Sequence, residues 1–317
     1  MKVLVTGGNQ GIGFALCRQL ALEYNCDVLL TARSQEKGME AVTQIQKEID
    51  DASVSAGGST SSSTTTGSIN FLLCDVSVDK SVAQAAATFK ETYGKVKSHN
   101  YLLDAIVNNA GIGISTGQTE NILNTNLYGP KRVCDHFIPL LNQDHGRIVN
   151  VGSGSGPNYV ASVRDTEEKA MLCWGGITTS DGDGPTDDIN PDSIPTWKDI
   201  ERHAKKNLVY REGQNNVYGL SKSLVAVYTG VLARSYPNLV VSCVTPGFID
   251  TQMTKGYGAS KAPSEGTVSI RKCLFETFHE AEEGRSGWYY GSDGIRSPYH
   301  FMRNPGEPVY DGINPFL

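Results

Sequence analysis

The sequence of 317 residues is poor in several features that would place it in other classes. It has no apolar run of about 18 residues, the length at which a membrane-spanning helix becomes readable. It has no surplus of basic residues: 28 Lys and Arg stand against 34 Asp and Glu, a net charge of −6. That excludes a basic face for nucleic-acid phosphates and a polybasic membrane anchor. It has no C-x-x-C pair. The seven cysteines, Cys17, Cys26, Cys74, Cys134, Cys173, Cys243 and Cys273, are odd in number and mostly sit in apolar runs such as Val241-Ser242-Cys243-Val244. They read as buried thiols of a reducing compartment, with neither a disulfide framework nor a metal site. Val3-Leu4-Val5 enters a strand at once, and a cleavable targeting peptide there would remove that strand. The expectation is a cytoplasmic protein.

What is present is an alternation. Val3-Leu4-Val5 is a short apolar strand, followed by an amphipathic helix with Ile12, Leu16, Leu20 and Ala21 on one face. Further strands are expected at 27–32, 70–74, 102–107, 147–151, 239–244 and 288–290. Helices are expected at 34–50, 78–93, 119–142, 215–235 and 264–283. Continuous apolar strands alternating with helices imply a parallel sheet of about seven strands with helices on both faces. The α/β, Rossmann-type doubly wound form is the default, with its ligand at the carboxyl ends of the strands where their order reverses.

Two stretches break the rhythm. Residues 52–68 are almost all Ser, Thr, Gly and Ala and read as a flexible loop. Residues 156–214 leave the alternation, contain Trp174 and Trp197, and read as a helical insertion between strand 5 and the next helix. The sheet pattern resumes afterwards, so the chain reads as one domain over 1–317, with a C-terminal tail at 291–317 that either caps a pocket or lies on the surface.

The chemistry concentrates at strand ends. Gly7, Asn9, Gln10, Gly11, Ile12 and Gly13 lie in a G-x-x-x-G-x-G turn between the first strand and its helix. Glycines there let a pyrophosphate approach the helix N-terminus. The P-loop pattern is absent. The second strand ends in Ala32-Arg33, where a carboxylate would bind the 2′-hydroxyl of NAD. A guanidinium in its place suits the 2′-phosphate of NADP. Asp75-Val76 follows the third strand, either contacting the adenine or starting a helix. Asn109-Ala110-Gly111 follows the fourth. Asn126 lies inside an otherwise apolar helix, and Ser153 closes the fifth strand. Tyr218 and Lys222 share one helical face at i, i+4. A lysine cation there is expected to lower the phenol's pKa and make it a general acid or base.

In this order, the residues resemble the short-chain dehydrogenase/reductase family, over nearly the whole chain. The resemblance implies a catalytic set of Asn126, Ser153, Tyr218 and Lys222. It implies cofactor contacts from Tyr218 and Lys222 and from Pro246, Gly247 and Thr251. Residues 125–134 and 146–151, and the 65-residue step from Ser153 to Tyr218, are most similar to monomeric NADPH-dependent carbonyl reductases. One departure is that Asn9 and Gln10 stand where many NADPH-dependent members carry a basic residue. The reading is reduction of a small-molecule carbonyl (ketone, aldehyde or quinone) by NADPH, yielding NADP+, in a monomer with no nucleic-acid or membrane partner. Its rivals are an NADP-dependent alcohol dehydrogenase of a specialised biosynthetic pathway and a cofactor-binding scaffold without catalysis. Met253, Tyr257 and Trp174 are candidate pocket walls or ordinary packing.

Overall fold

A computed structural model describes residues 1–56, 67–94, 101–113, 119–173, 195–210, 217–276 and 286–315. In chain order the elements are β1 (Lys2–Val5), α1 (Gly11–Leu22), β2 (Asp27–Ala32), α2 (Gln35–Ala56), β3 (Ser68–Leu73), α3 (Asp79–Tyr93) and β4 (Ala105–Asn108). Then come α4 (Thr119–Asn126), α5 (Tyr128–Phe137), β5 (Arg147–Val151), α6 (Ser155–Ser162), α7 (Thr166–Cys173) and α8 (Trp197–Tyr210). The last are α9 (Val217–Ser235), β6 (Val240–Val244), α10 (Val268–Phe275) and β7 (Trp288–Tyr290). The seven strands form one parallel sheet in the order β3-β2-β1-β4-β5-β6-β7. The order reverses between β1 and β4, which is the doubly wound arrangement.

Two compact units divide the chain. The first holds Met1–Gly111, Lys131–Gly146 and Phe248–Thr267. Its core is built by Val3, Leu4, Val5, Leu16, Leu20, Ile45, Phe89 and Ile106, all at most 1% exposed. The second holds Ile112–Pro130, Arg147–Gly247 and Val268–Leu317. At its centre is α9, buried at every residue from Gly219 through Thr229. The helix is apolar around most of its circumference, as a helix surrounded by others must be, and α4, α6, α7 and α8 all pack on it.

The expected elements are present, with differences at several boundaries. The helix foreseen over 119–142 is two helices, because Pro130 has no N–H to give the carbonyl of Asn126 and its ring crowds that oxygen. A short 3-10 turn, Ile138–Leu140, completes the span. The expected loop at 52–68 is shorter than foreseen. Helix α2 runs on to Ala56, helped by a bond from the Ser53 hydroxyl to the Ile49 carbonyl at 2.8 Å. Ser68 already opens β3; residues 57–66 lie outside the described residues. The helix expected at 264–283 is α10, preceded by a 3-10 turn at Glu265–Thr267, and 277–285 lie outside the described residues.

After β7 the tail turns back. Gly291 N–H donates to the Ile295 carbonyl and Ser297 N–H to the Tyr289 carbonyl, both at 2.8 Å. The Arg296 guanidinium lies 3.9 Å over the Trp288 ring. Among the described residues, no helix is long and apolar enough to cross a membrane.

Candidate active site

The first unit carries the glycine turn. Gly7 and Gly11 have φ of +64° and +56°, a left-handed backbone that a side chain resists. At Gly13 a β-carbon would fall 2.3 Å from the Gly7 carbonyl oxygen and 2.4 Å from Asn109 Nδ2. Only glycine lets α1 close on the turn there. Gln10 precedes the helix in extended backbone without capping it through its side chain, and no acidic residue occupies the first turn. That end of α1 is therefore suited to an anion.

The turn is bolted to the loop after β4. Asn109 Nδ2 donates to the carbonyls of Thr6 and Gly7 at 2.9 and 3.2 Å. Thr6 Oγ1 accepts the N–H groups of Asn109 and Ala110, both at 3.0 Å. The sequence reading gave Thr6 no role, although a hydroxyl directly after a strand and before the glycine turn is the available signal. Thr251 sits beside Gly11, its γ-carbon 3.3 Å from where a Gly11 β-carbon would be. Ile12 packs with Ile249 around Gly266.

Arg33 is exposed directly after β2. Asp75 closes a local turn, its Oδ1 accepting from the Ser77 N–H at 2.9 Å and the Ser77 hydroxyl at 2.6 Å. The residue preceding α3 is Val78, so Asp75 does not itself cap that helix. Val76 is buried, and Arg132 donates to its carbonyl at 3.1 Å.

The second unit brings together Asn126, Ser153, Tyr218 and Lys222. Asn126 is 1% exposed. Its Oδ1 accepts the Ile112 N–H at 2.8 Å, and its Nδ2 donates to the Ile112 carbonyl at 3.0 Å and to Ser221 Oγ at 3.2 Å. An asparagine inside an apolar helix thus ties the loop after β4 to α9. Ser153 follows β5, and its hydroxyl accepts the Ser155 N–H at 3.2 Å. The Ser153 side chain acts on the Tyr218 phenol as a hydrogen-bond partner and lowers its pKa. Lys222 is buried, donates from Nζ to the Val151 carbonyl at 2.8 Å, and lies 5.7 Å from the centre of the Tyr218 ring. Gly156 lets α6 approach α9, since a β-carbon there would be 3.1 Å from the Lys222 backbone.

Between β6 and the Pro246-Gly247 pair stands Thr245, which sequence reasoning also missed. Its hydroxyl accepts the Gly154 N–H at 3.1 Å and the Gly247 N–H at 3.3 Å. It thereby links the segment after β5 to the segment after β6.

The electrostatics differ from the expectation that Lys222 lowers the Tyr218 pKa. Burial raises the Tyr218 phenol above its ordinary value, and the Ser153 hydrogen bond opposes that rise. Burial also pushes Lys222 down to about 8, with Cys243 acting in the opposite direction. Lys222 is not among the groups that move the Tyr218 phenol. The pair therefore holds a protonated phenol at neutral pH. Of the candidate pocket walls, Tyr257 is exposed in the first unit, Met253 is half-buried, and Trp174 lies outside the described residues.

The short chain dehydrogenase family model matches residues 1–164. The (+)-neomenthol dehydrogenase of Arabidopsis thaliana is 31% identical over 298 residues, covering 86% of this chain and 90% of that one. Carbonyl reductase (NADPH) 3 of Rattus norvegicus is 29% identical over 278 residues, covering 83% and 86%. The solved structure of salutaridine reductase from Papaver somniferum superposes with a TM-score of 0.64 at 28% identity, covering 91% of this chain and 99% of that one. With the glycine turn, the parallel sheet and the Ser-Tyr-Lys geometry already in place, these matches make the chain a member of the short chain dehydrogenase family and an oxidoreductase.

Proposed function

We propose that the protein reduces the carbonyl group of a small molecule to an alcohol, with NADPH as hydride donor. The observation that carries this reading is the hydrogen-bonded Ser153–Tyr218 pair beside the buried Lys222. The residues present fit the dinucleotide. Gly7, Gly11 and Gly13 leave a backbone cradle that β-carbons would fill, at a helix end without an acid. Asn9, Gln10 and Ile12 complete the turn, and Asn109, Ala110, Gly111, Pro246, Gly247 and Thr251 are assigned to the same ligand. Arg33, with no carboxylate at that strand end, favours the 2′-phosphate of NADPH over NADH. Asp75 and Val76 are assigned to the adenine side.

NADPH supplies the hydride when bound; the protein supplies position and a proton. Tyr218 donates its phenolic proton to the oxygen of the substrate carbonyl as that oxygen becomes an alcohol. Ser153 holds the same oxygen by a hydrogen bond. Lys222 would hold the nicotinamide ribose. The Asn126 carbonyl, which Pro130 cannot satisfy, holds a water that resupplies the proton through Lys222. A protonated Tyr218 is the form that can donate to a carbonyl oxygen, and burial favours that form. The relatives' names span both directions, as a dehydrogenase and two reductases.

We read the chain as a single, monomeric enzyme domain. Trp197 of the insertion lies edge-on to Tyr128 and Tyr228, with ring centres 5.7 and 5.3 Å apart. The insertion thereby covers the helix faces through which a subunit partner would pack in the wider family. The seven buried thiols support a cytoplasmic setting. The test is NADPH consumption, followed by absorbance, against cyclic ketones, aromatic aldehydes and quinones, compared with NADP+ and the matching alcohols. The reading requires reduction of at least one carbonyl to be faster at neutral pH. Catalysis only in the alcohol direction would reverse the assignment.

A further inference from the structure

The C-terminal tail places one apolar side chain against Gly154, the residue that follows Ser153. Three residues, His300 to Met302, run between two buried anchors. On one side Tyr299 is 5% exposed and its hydroxyl donates to the Gly287 carbonyl at 2.7 Å. On the other, Arg303 is 5% exposed. It donates to both oxygens of Asp293 at 2.5 Å, to Ser297 Oγ at 3.1 Å, and to the Asn304 and Glu307 carbonyls at 3.1 and 2.9 Å. A buried arginine with this many partners fixes the chain path firmly. The segment between the anchors has little freedom.

From that segment Met302 reaches the residue next to Ser153. A β-carbon on Gly154 would lie 2.9 Å from Met302 Sδ and 3.1 Å from its ε-carbon. Asn158 Nδ2 in α6 donates to the same sulfur at 3.6 Å. The thioether is thus seated on the segment that carries Ser153, yet Met302 remains 39% exposed, with Phe301 beside it at 44%. A side chain held in place but not covered, seated on the residue that follows Ser153, is within reach of a ligand whose carbonyl lies at that serine. Methionine offers a polarizable apolar surface that adapts to ring-shaped ligands.

We infer that Met302 is a specificity-determining residue, forming an apolar wall against the flank of a bulky ring ketone whose oxygen lies at Ser153 and Tyr218. The inference rests on the carbonyl-reductase reading above. The test compares wild type, Met302→Gln and Met302→Leu on cyclohexanone and on its para-tert-butyl derivative, with NADPH. Gln keeps the length and makes the tip polar. It should lower kcat/KM for the bulky ketone about tenfold while cyclohexanone stays within about twofold, the scale on which an apolar pocket discriminates. Met302→Leu should keep both, and the KM for NADPH should not move in either variant.

Equal losses on the two ketones would assign Met302 a purely structural role and overturn the inference, as would no loss on either. If wild type reduces aldehydes or quinones but neither ketone, the ring-ketone wall is wrong while the enzyme reading stands. If it reduces no carbonyl at all, the enzyme reading fails and takes the inference with it.

Discussion

Replacing Asn126 separates its bracing role from mere space-filling. Its side chain makes three hydrogen bonds, two to the Ile112 backbone and one to Ser221. At about 1 kcal/mol each, Asn126→Ala forfeits about 3 kcal/mol, and the stranded Ile112 N–H and C=O add to the loss if water cannot reach them. An unfolding entropy of about 2.1 cal/mol/K per residue makes that about 5 °C in Tm for a chain of this length. Asn126→Asp should be worse at neutral pH despite its near-identical shape. It retains the acceptor for the Ile112 N–H but turns a carboxylate toward the Ile112 carbonyl, and Ser221 Oγ already donates to the Tyr218 carbonyl at 2.7 Å.

The sign of its pH dependence follows. A buried carboxyl facing an acceptor has its pKa raised in the folded state, so folding binds protons. The Asp variant should therefore be most stable below the ordinary carboxyl pKa and lose stability as pH rises. Scanning calorimetry of the three proteins at acidic and neutral pH reads this out. An Asp variant more stable than the Ala variant at neutral pH would refute the bond assignment.

Two further substitutions address the cofactor. Arg33→Ala should remove most of the preference for NADPH over NADH, worth about 1.5–3 kcal/mol or roughly tenfold to a hundredfold in affinity. Equal binding of both cofactors by the unmutated protein, by fluorescence titration, would contradict the assignment. For Lys222, whose pKa is pushed down to about 8, kcat/KM for NADPH should fall as pH rises through that value. Lys222→Arg, which does not titrate in the accessible range, should remove that limb, and an unchanged limb would mean that another group titrates.

The alternation of apolar strands and helices was readable because the inner strands are buried on both faces and so carry a continuous apolar signal, unlike the edge strand β3. β1, β5 and β6 are buried at all but their first residue. The boundary errors have local causes. Pro130 breaks the long helix through a bond that its ring nitrogen cannot make. Helix α2 outlasts its amphipathic pattern because Ala and Ser tolerate helix without marking a face. That Asn126, Ser153, Tyr218 and Lys222 belong together was suggested by residue type and order, and the second unit holds all four. Their energetics were not: whether Lys222 lowers the Tyr218 pKa depends on how deeply both are buried, which no spacing records. Thr245 and Met302 act through contacts with Gly154 from distant parts of the chain. Met302 lies in a tail whose Gly, Pro and aromatic composition fits either a cap or a surface strap, and only the Tyr299 and Arg303 anchors decide where it runs.

The central claim is that Tyr218 is the proton donor. Tyr218→Phe keeps the ring and removes only the hydroxyl bonded to Ser153. Turnover of the best carbonyl substrate should fall by about 10²–10⁴-fold, the range of general acid catalysis, while NADPH affinity measured on the same sample is nearly unchanged. A variant that retains more than about a tenth of wild-type turnover, by that same magnitude, would contradict the account.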